Sequence, residues 1–535
     1  MASLAPAPSA GSHASPAPFR RKLRVGVVAD VPYQPQWIVE ALRKVAASDF
    51  AEIVWGRTTV SDPRRNRGLT PVSQRAASPV WKAYSKLEQR LFGSGNWSRP
   101  ADVTTIAATP RDDESVDVVV ALGDVTDDEV GSQPSCGVWR YCFGSDAATC
   151  ESHAGLREVL EGADVTGSGI RVHLPGRGDR IVYQSWSRTL AFSASRNRDN
   201  VFAKASEFLL RGLRDLHREG PSYLDRAEET VSGTISPEIV PDTVSALRMA
   251  TRVAQRAVEK IATVEQWSIA FRFAADEPWS GSLAGFQRLT PPGDGFWADP
   301  FPIQRGGKSY VFFEELPQAG GRAHISVIEV DRHGRASKPV RVLERDYHLS
   351  YPFLVEDEGQ LYMVPESAAN HTIEIYRCID FPAKWRRERV LVDHVFAADA
   401  TLHRHNGRWW MFANVAVNGA EIHDELHVFT SERLTGEWKP LDINPVKSDV
   451  RGARPAGKLF VQDGHLYRPA QICAPLYGAG ISLQRVTRLD EGGFEEHEER
   501  RILPAAGEGV LGLHTMNRAG DLSVTDAFVR RARFH

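Results

Sequence analysis

The chain has 535 residues, 42% of them hydrophobic and 25% charged, with a formal net charge of −3. That is ordinary composition for a multidomain globular protein, and it lacks the basic excess that draws nucleic acid or an anionic bilayer. No apolar run approaches the roughly twenty residues that a membrane-spanning helix needs.

Residues 1–21, rich in Ala, Pro and Ser, have neither a basic start nor an apolar core, so a disordered tail is expected and not a signal peptide. The five cysteines, Cys136, Cys142, Cys150, Cys378 and Cys473, form no C-x-x-C pair, which points to the cytoplasm and away from a disulfide framework. Three of them lie between 136 and 150 with His153 nearby, but at no common metal-ligand spacing, so no metal site is expected.

KLRVGVVAD (22–30) reads as a buried strand, WIVEALRKVAA (37–47) as an amphipathic helix, and AEIVWG (51–56) and VDVVVALGD (116–124) as further strands. This alternation predicts an α/β open parallel sheet over 22–217, with Asp30, Gly123 and Asp124 at the strand ends where ligands sit. No G-x-G-x-x-G follows the first strand, so no dinucleotide, and no cofactor of any kind, is expected. The insertion 57–100 carries one helix near 80–92 and is either a lid or a plain loop.

LREVLEGADVTGSGIRVHL (156–174) and DRIVYQSWS (179–187), with the opening strands, resemble folate-dependent formyltransferases over about 22–215. The resemblance implies an Asn-x-His catalytic loop and a later Asp. In this sequence the loop is WRYCFGSD (139–146), with Arg140 and Cys142 in the places of Asn and His, and Arg177 stands where the Asp would be. Arginine cannot serve as a general base near neutral pH, so the domain is expected to be catalytically dead. A helix over 200–217 closes it, and 218–265 is a polar linker followed by an amphipathic helix, 242–262, capped by Asp242.

From Phe296 onward one phrase returns five times: GGKSYVFF, EGQLYMVP, NGRWWMFA, DGHLYRPA and AGDLSVTD, with hairpin glycines at Gly307, Gly359, Gly407, Gly464 and Gly520. A period near fifty residues, each a turn feeding an alternating strand, predicts an all-β five-bladed propeller over 266–535. The last repeat is short of strands, and QWSIAFRF (266–273) is an orphan strand. Pairing the two would close the circle and remove both sheet edges.

A segment about eight residues before each hairpin supplies the first strand of each blade, which brings Asp299, Tyr351, Asp399, Arg454 and His514 toward one axis. Trp297, Trp409 and Trp410 flank these positions, either as sheet core or as platforms for a sugar face.

The two-domain arrangement resembles proteins related to the N-terminal region of plant glucosamine inositolphosphorylceramide transferases, through FWADPF (296–301), MVPES (363–367), AADATL (397–402) and GLHTMN (512–517). In the plant proteins a separate C-terminal domain does the transfer. The propeller also resembles furanosidase and xylosidase glycoside hydrolases, which implies an Asp base in blade one, a tuning Asp in blade three and a Glu acid in blade four. Asp299 and Asp399 match. Blade four offers Arg454, Arg468 and Gln471 in place of the Glu, and Glu366 in blade two is the nearest substitute.

The expectation is a cytoplasmic carbohydrate-active protein with Asp299, Asp399 and Glu366 as catalytic carboxyls, and with Trp297, Tyr351, Arg454, Arg468, Gln471 and His514 contacting a sugar or glycosylated small molecule. A non-catalytic sugar-binding scaffold with pathway protein partners is the alternative, and a formyltransferase the third.

Overall fold

Val118–Leu122 is an unbroken apolar run and Leu23–Ala29 is apolar but for Arg24, and they lie parallel and adjacent inside a seven-stranded sheet. Strands covered on both faces need this composition, because neither face meets water. The protein is described here by a computed structural model covering residues 18–59, 77–92, 95–106, 115–131, 133–144, 154–225, 228–229, 240–274, 281–317 and 321–533. The greater part of the expected tail, part of the insertion, and both Cys150 and His153 lie outside the described residues. The four described cysteines are free.

The sheet is mixed, where an open parallel sheet was expected. Ala51–Thr58, Leu23–Ala29, Val118–Leu122 and Val138–Phe143 run parallel, after which Val165–Leu174, Gly178–Arg188 and Glu228–Glu229 turn antiparallel. The reversal comes at Val165–Leu174, which pairs antiparallel with Val138–Phe143. The tight hairpin from Leu174 to Gly178, with Gly176 and Gly178 at φ 74°, then adds the next strand antiparallel in turn, since so short a connection can only join antiparallel strands. The stretch read as a catalytic loop is, as far as Phe143, the strand Val138–Phe143. Within it Arg140 pairs with Asp127 at 2.7 Å, and burial pushes the Cys142 thiol up to about 12. Arg177 pairs with Asp225 at the far end of the hairpin.

Gln36–Ala46 and Ala194–Glu219 pack together over the sheet, with Trp37 stacked on Phe202 at 5.0 Å between ring centres. The insertion carries the helix Pro79–Phe92. The connecting helix is Thr243–Ala262, and Asp242 caps it by accepting from the Ser245 amide at 2.8 Å. No described helix is long and apolar enough to cross a membrane.

That helix runs directly into the strand Thr263–Phe273, and five sheets follow around one axis. Blade one is Phe296–Arg305, Lys308–Leu316, His324–Val330 and Val340–Leu343. Blade two is Ser350–Asp357, Gln360–Ser367, Thr372–Asp380 and Lys384–Asp393. Blade three begins Ala397–His405, Arg408–Val415 and Glu425–Ser431, and blade four contains His465–Ile472, Gly480–Asp490 and Gly493–Ile502. The fifth blade is built from both ends of the propeller: Thr263–Phe273 pairs antiparallel with Leu522–Ala532 along its whole length, from Thr263 opposite Ala532 to Phe273 opposite Leu522. The closure anticipated from the orphan strand is therefore the one observed. The helix Ala194–Glu219 lies against blade three and joins the two halves of the molecule through buried ion pairs.

Candidate functional site at the propeller axis

The innermost strands of blades one to three carry the same irregularity. Pairing with the second strand breaks between Ala298 and Phe301, between Ser350 and Phe353, and between Ala398 and Thr401. Inside each bulge one residue has a left-handed backbone: Asp299 at φ 53°, Tyr351 at 43° and Asp399 at 55°. A non-glycine residue in this region costs about 1–3 kcal/mol and persists only where the surroundings hold it. Three at equivalent places show that the bulge aims these side chains at the axis.

Asp299 is enclosed. Its Oδ1 accepts from Thr515 Oγ1 at 2.6 Å, its Oδ2 accepts from the Tyr351 amide at 3.2 Å, and His514 Nε2 stands 3.1 Å from Oδ1. Burial alone would raise its pKa, but the charge and hydrogen bond of His514, with Thr515, hold the carboxyl below the usual range. His514 also meets Asp526 Oδ2 at 2.9 Å through Nδ1. Although burial opposes it, the charges of Asp526 and Asp299 push this imidazole up to about 10. Asp299, His514 and Asp526 are the one group among the described residues with donor atoms close enough to hold a metal ion. With its proton on, the His514 imidazolium offsets one of the two carboxylate charges and leaves the trio with a net charge of about −1.

On the other side of the axis Arg454 Nε donates to Asp399 Oδ2 at 2.6 Å and Gln471 Nε2 donates to the same oxygen at 2.7 Å. Glu366 is 3.5 Å from Arg454 Nη2 and is hydrogen-bonded to Asp399. Burial and the neighbouring Asp399 charge push the Glu366 carboxyl well above the carboxylate range, with Arg454 opposing. Both effects favour the neutral carboxyl over the carboxylate at this position. Tyr351 completes the circle, with its hydroxyl against Thr401 Oγ1 at 2.8 Å and accepting from the Gly457 amide at 2.7 Å.

Two residues expected at the sugar lie elsewhere. Arg468 is fully buried in blade four, where Glu496 takes its guanidinium at 2.6 Å and the Gly452 and Ala453 carbonyls accept from it. Strand alternation explains this: Gln471 and Arg468 are three apart, so they emerge on opposite faces. Trp297 packs on Phe313 in the sheet core with its Nε1 toward Glu315, and Trp409 and Trp410 are core as well.

Glu314, Asn414 and Asp526 were missed. Seven positions after the hairpin glycine, the second strand places Glu314 and Asn414 in blades one and three, in register with the expected Glu366 and Gln471 of blades two and four, and six after Gly520 it places Asp526. Glu314, Glu366 and Asn414 sit opposite Ala298, Ser350 and Ala398, each the residue before a bulged one. This second polar series was readable from the repeat, had the phrase been extended to its end. The aromatic rim was not readable: Trp267 lies 4.0 Å from His514 between ring centres, Tyr477 is 5.1 Å from His514 and 5.3 Å from His423, and Arg454 stacks over Tyr477 at 5.0 Å.

Residues 283–509 match the family model described as glucosamine inositolphosphorylceramide transferase 1, N-terminal. The chain is similar to glucosamine inositolphosphorylceramide transferase 1 of Oryza sativa subsp. japonica, 34% identical over 205 residues, covering 38% of this chain and 27% of the relative. The Arabidopsis thaliana protein of the same name is 32% identical over 218 residues, covering 40% and 28%. The similar segment thus spans about a quarter of the length of these relatives. Among solved structures, the family 117 glycoside hydrolase Zg3597 of Zobellia galactanivorans aligns at a TM-score of 0.33 and 11% identity, over 49% of this chain and 90% of that one. An alpha-L-arabinofuranosidase from Lactobacillus brevis aligns at 0.30 and 14%, over 39% and 78%. Likeness at that level carries no argument about chemistry. The matched residues include Asp299, Glu366, Asp399, Arg454 and Gln471, whereas Trp267, His514 and Asp526 of the closing blade lie outside them.

Proposed function

We propose that the propeller binds a carbohydrate or a glycosylated small molecule over the axial carboxyls and acts on its glycosidic bond, with Glu366 as proton donor. The observation that carries this reading is the partly accessible Glu366 carboxyl, pushed toward its neutral form by burial and by the Asp399 charge, with Arg454 beside it and the rim of Trp267, Tyr477 and His423 around the same axis. Aromatic faces suit the apolar face of a sugar, and a raised carboxyl is what a general acid requires. Glu366 would give its proton to the leaving oxygen as the bond to the anomeric carbon breaks. A water, or an acceptor hydroxyl in a transfer, would attack that carbon and pass its proton to Asp299.

A specific observation favours a second reading, a site that binds without reacting. Asp299 is tied to Thr515, Tyr351 and His514, and Asp399 to Arg454 and Gln471, which leaves the two aspartates few free lone pairs. The α/β half enters as a formyltransferase-like domain without catalysis, because Arg140 is held by Asp127 and the Cys142 thiol stays protonated. A reducing compartment such as the cytoplasm suits the free cysteines, and proteins of a biosynthetic pathway are the partners we would seek.

The test is a screen of aryl glycosides, glucosamine glycosides included, against wild type, Glu366→Gln and Asp299→Asn. Turnover by wild type that falls more than about a hundredfold in Glu366→Gln supports the catalytic reading. Saturable binding by all three with no bond cleaved or formed overturns it in favour of the binding site.

A further inference from the structure

The loop before strand Glu425–Ser431 meets the α/β half with almost every polar side chain it has. Glu421 takes Arg188 at 2.7 Å, and its amide donates to Asn200 Oδ1 at 2.8 Å. Asp424 takes Lys204 at 2.7 Å in a fully buried pair that Ser187 completes, and Glu425 takes Arg211 through two bonds at 2.6 and 3.0 Å. Between these anchors stands His423, whose Nδ1 lies 2.9 Å from Arg454 Nη1. An arginine nitrogen can only donate, so Nδ1 accepts, and the imidazole is the neutral form with its proton on Nε2.

Arg454 is gripped from a second direction. The Val450 amide donates to the Trp186 carbonyl at 3.0 Å, Trp186 bridges to Asp449 in parallel, and Ser185 and Ser448 share a hydrogen bond at 2.9 Å. The edge of the α/β sheet therefore continues into the segment that carries Arg454 four residues later, and Arg451 lies over the Trp186 ring.

We infer that the α/β half is a working part of the axial site: by clamping residues 421–425 and 448–450 it fixes His423 against Arg454, and so sets how that guanidinium is shared between Asp399 and Glu366. His423, Arg188 and Glu421 are positioning residues. The inference rests on the axial site proposed above but uses no sugar in its test, so the two can fail separately. It gives the α/β half a role that does not depend on formyl chemistry.

The groups that face His423 are Arg454 and Tyr477 from blade four and Arg188 from the α/β sheet, with Glu421 and Asp424 in its own loop. Burial, then the Arg454 and Arg188 charges, hold its pKa well below the ordinary histidine value. The experiment is a nitrogen NMR titration of full-length protein labelled with 15N-histidine, the His423 signals being assigned with His423→Gln. Wild type should show the Nε2–H tautomer, with no protonation down to pH values well under the ordinary midpoint.

Arg188→Gln removes both the clamp and a cation, and should raise the proton affinity of His423 by about tenfold, one pKa unit. Glu421→Gln removes the clamp but leaves the Arg188 charge uncompensated, and should lower it. Both should mix the His423 tautomers, while Arg188→Lys should keep the wild-type signal. His403, in the same blade and away from the clamp, should move in none of them. An unchanged His423 titration in both glutamine variants overturns the inference. So does a shift of His403 in parallel, which would report general loosening of the blade.

Discussion

Arg454 donates to Asp399 from two guanidinium nitrogens, Nε at 2.6 Å and Nη2 at 3.3 Å, inside a propeller that leaves both side chains almost without solvent. Removing one member of so buried a pair leaves the other charge without compensation. Arg454→Met should therefore lower stability by about 3–5 kcal/mol in urea unfolding, and Arg454→Met with Asp399→Leu should recover most of it. Full loss in the double variant would show that the pair is not what the circle depends on.

The joint between the halves should respond to acid. Burial would raise the Glu425 carboxyl, but Arg211 outweighs it and brings the pKa from 4.5 to about 2. A depressed folded-state pKa contributes stability that is complete above the unfolded value and is lost as pH falls through the folded one, here between 4.5 and about 2. The loss amounts to about 3 kcal/mol at about 1.4 kcal/mol per unit. Asp424, whose carboxyl burial moves upward, offsets part of it. Urea unfolding across this window should be steeper in pH for wild type than for Glu425→Gln, and equal slopes would refute the assignment.

Two glycines with positive φ should differ sharply. Gly359, in a hairpin turn at φ 75°, has nothing within 4 Å of a built Cβ, so Gly359→Ala should cost about 1 kcal/mol from backbone strain alone. Gly457 is at φ 128°, and a Cβ there would stand 2.1 Å from the Met516 carbonyl oxygen, which cannot move aside cheaply. Gly457→Ala should cost about 3 kcal/mol or more, and shift the Tyr351 hydroxyl that its amide supports. Thermal unfolding of the two variants side by side decides it.

The tryptophans give a fourth contrast. Trp297→Ala empties a core position and should cost about 3–5 kcal/mol. Trp267→Ala removes part of the rim and should weaken binding of any glycoside found in the screen by about tenfold, the scale of one aromatic contact. Calorimetry for the first and titration for the second would separate core from rim, and the reverse pattern would restore Trp297 to the site.

Blade number, the pairing of 266–273 with 522–531 and the convergence of Asp299, Tyr351, Asp399, Arg454 and His514 were legible because repetition sets register, and register sets which side chains face the axis. The α/β half was legible only as far as its parallel strands. Its turn to antiparallel pairing comes where Val165–Leu174 meets Val138–Phe143, a direction that no turn signal between them sets, and the hairpin at Leu174 to Gly178 only extends it. Arg468 was placed at the axis by its charge, although its offset from Gln471 puts it on the other face. His423 and Tyr477 could not be found, since each stands in a loop outside the repeat and reaches the site through contacts between blades or with the α/β half. Alternation along a strand carries no information about those contacts.

The fifth blade joins Thr263–Phe273 to Leu522–Ala532, strands separated by about 250 residues of intervening chain. At a synthesis rate of about 5–20 residues per second, the first of these strands leaves the ribosome tens of seconds before its partner exists. During that interval its long edge is open, and an open edge of alternating apolar residues invites pairing with another chain. The helix Thr243–Ala262 and the already folded α/β half stand immediately before that strand in the nascent chain. Biogenesis of this protein is therefore a matter of keeping one early strand idle until the last one arrives, and slowing translation between the two should cost soluble yield more than slowing it anywhere before residue 263.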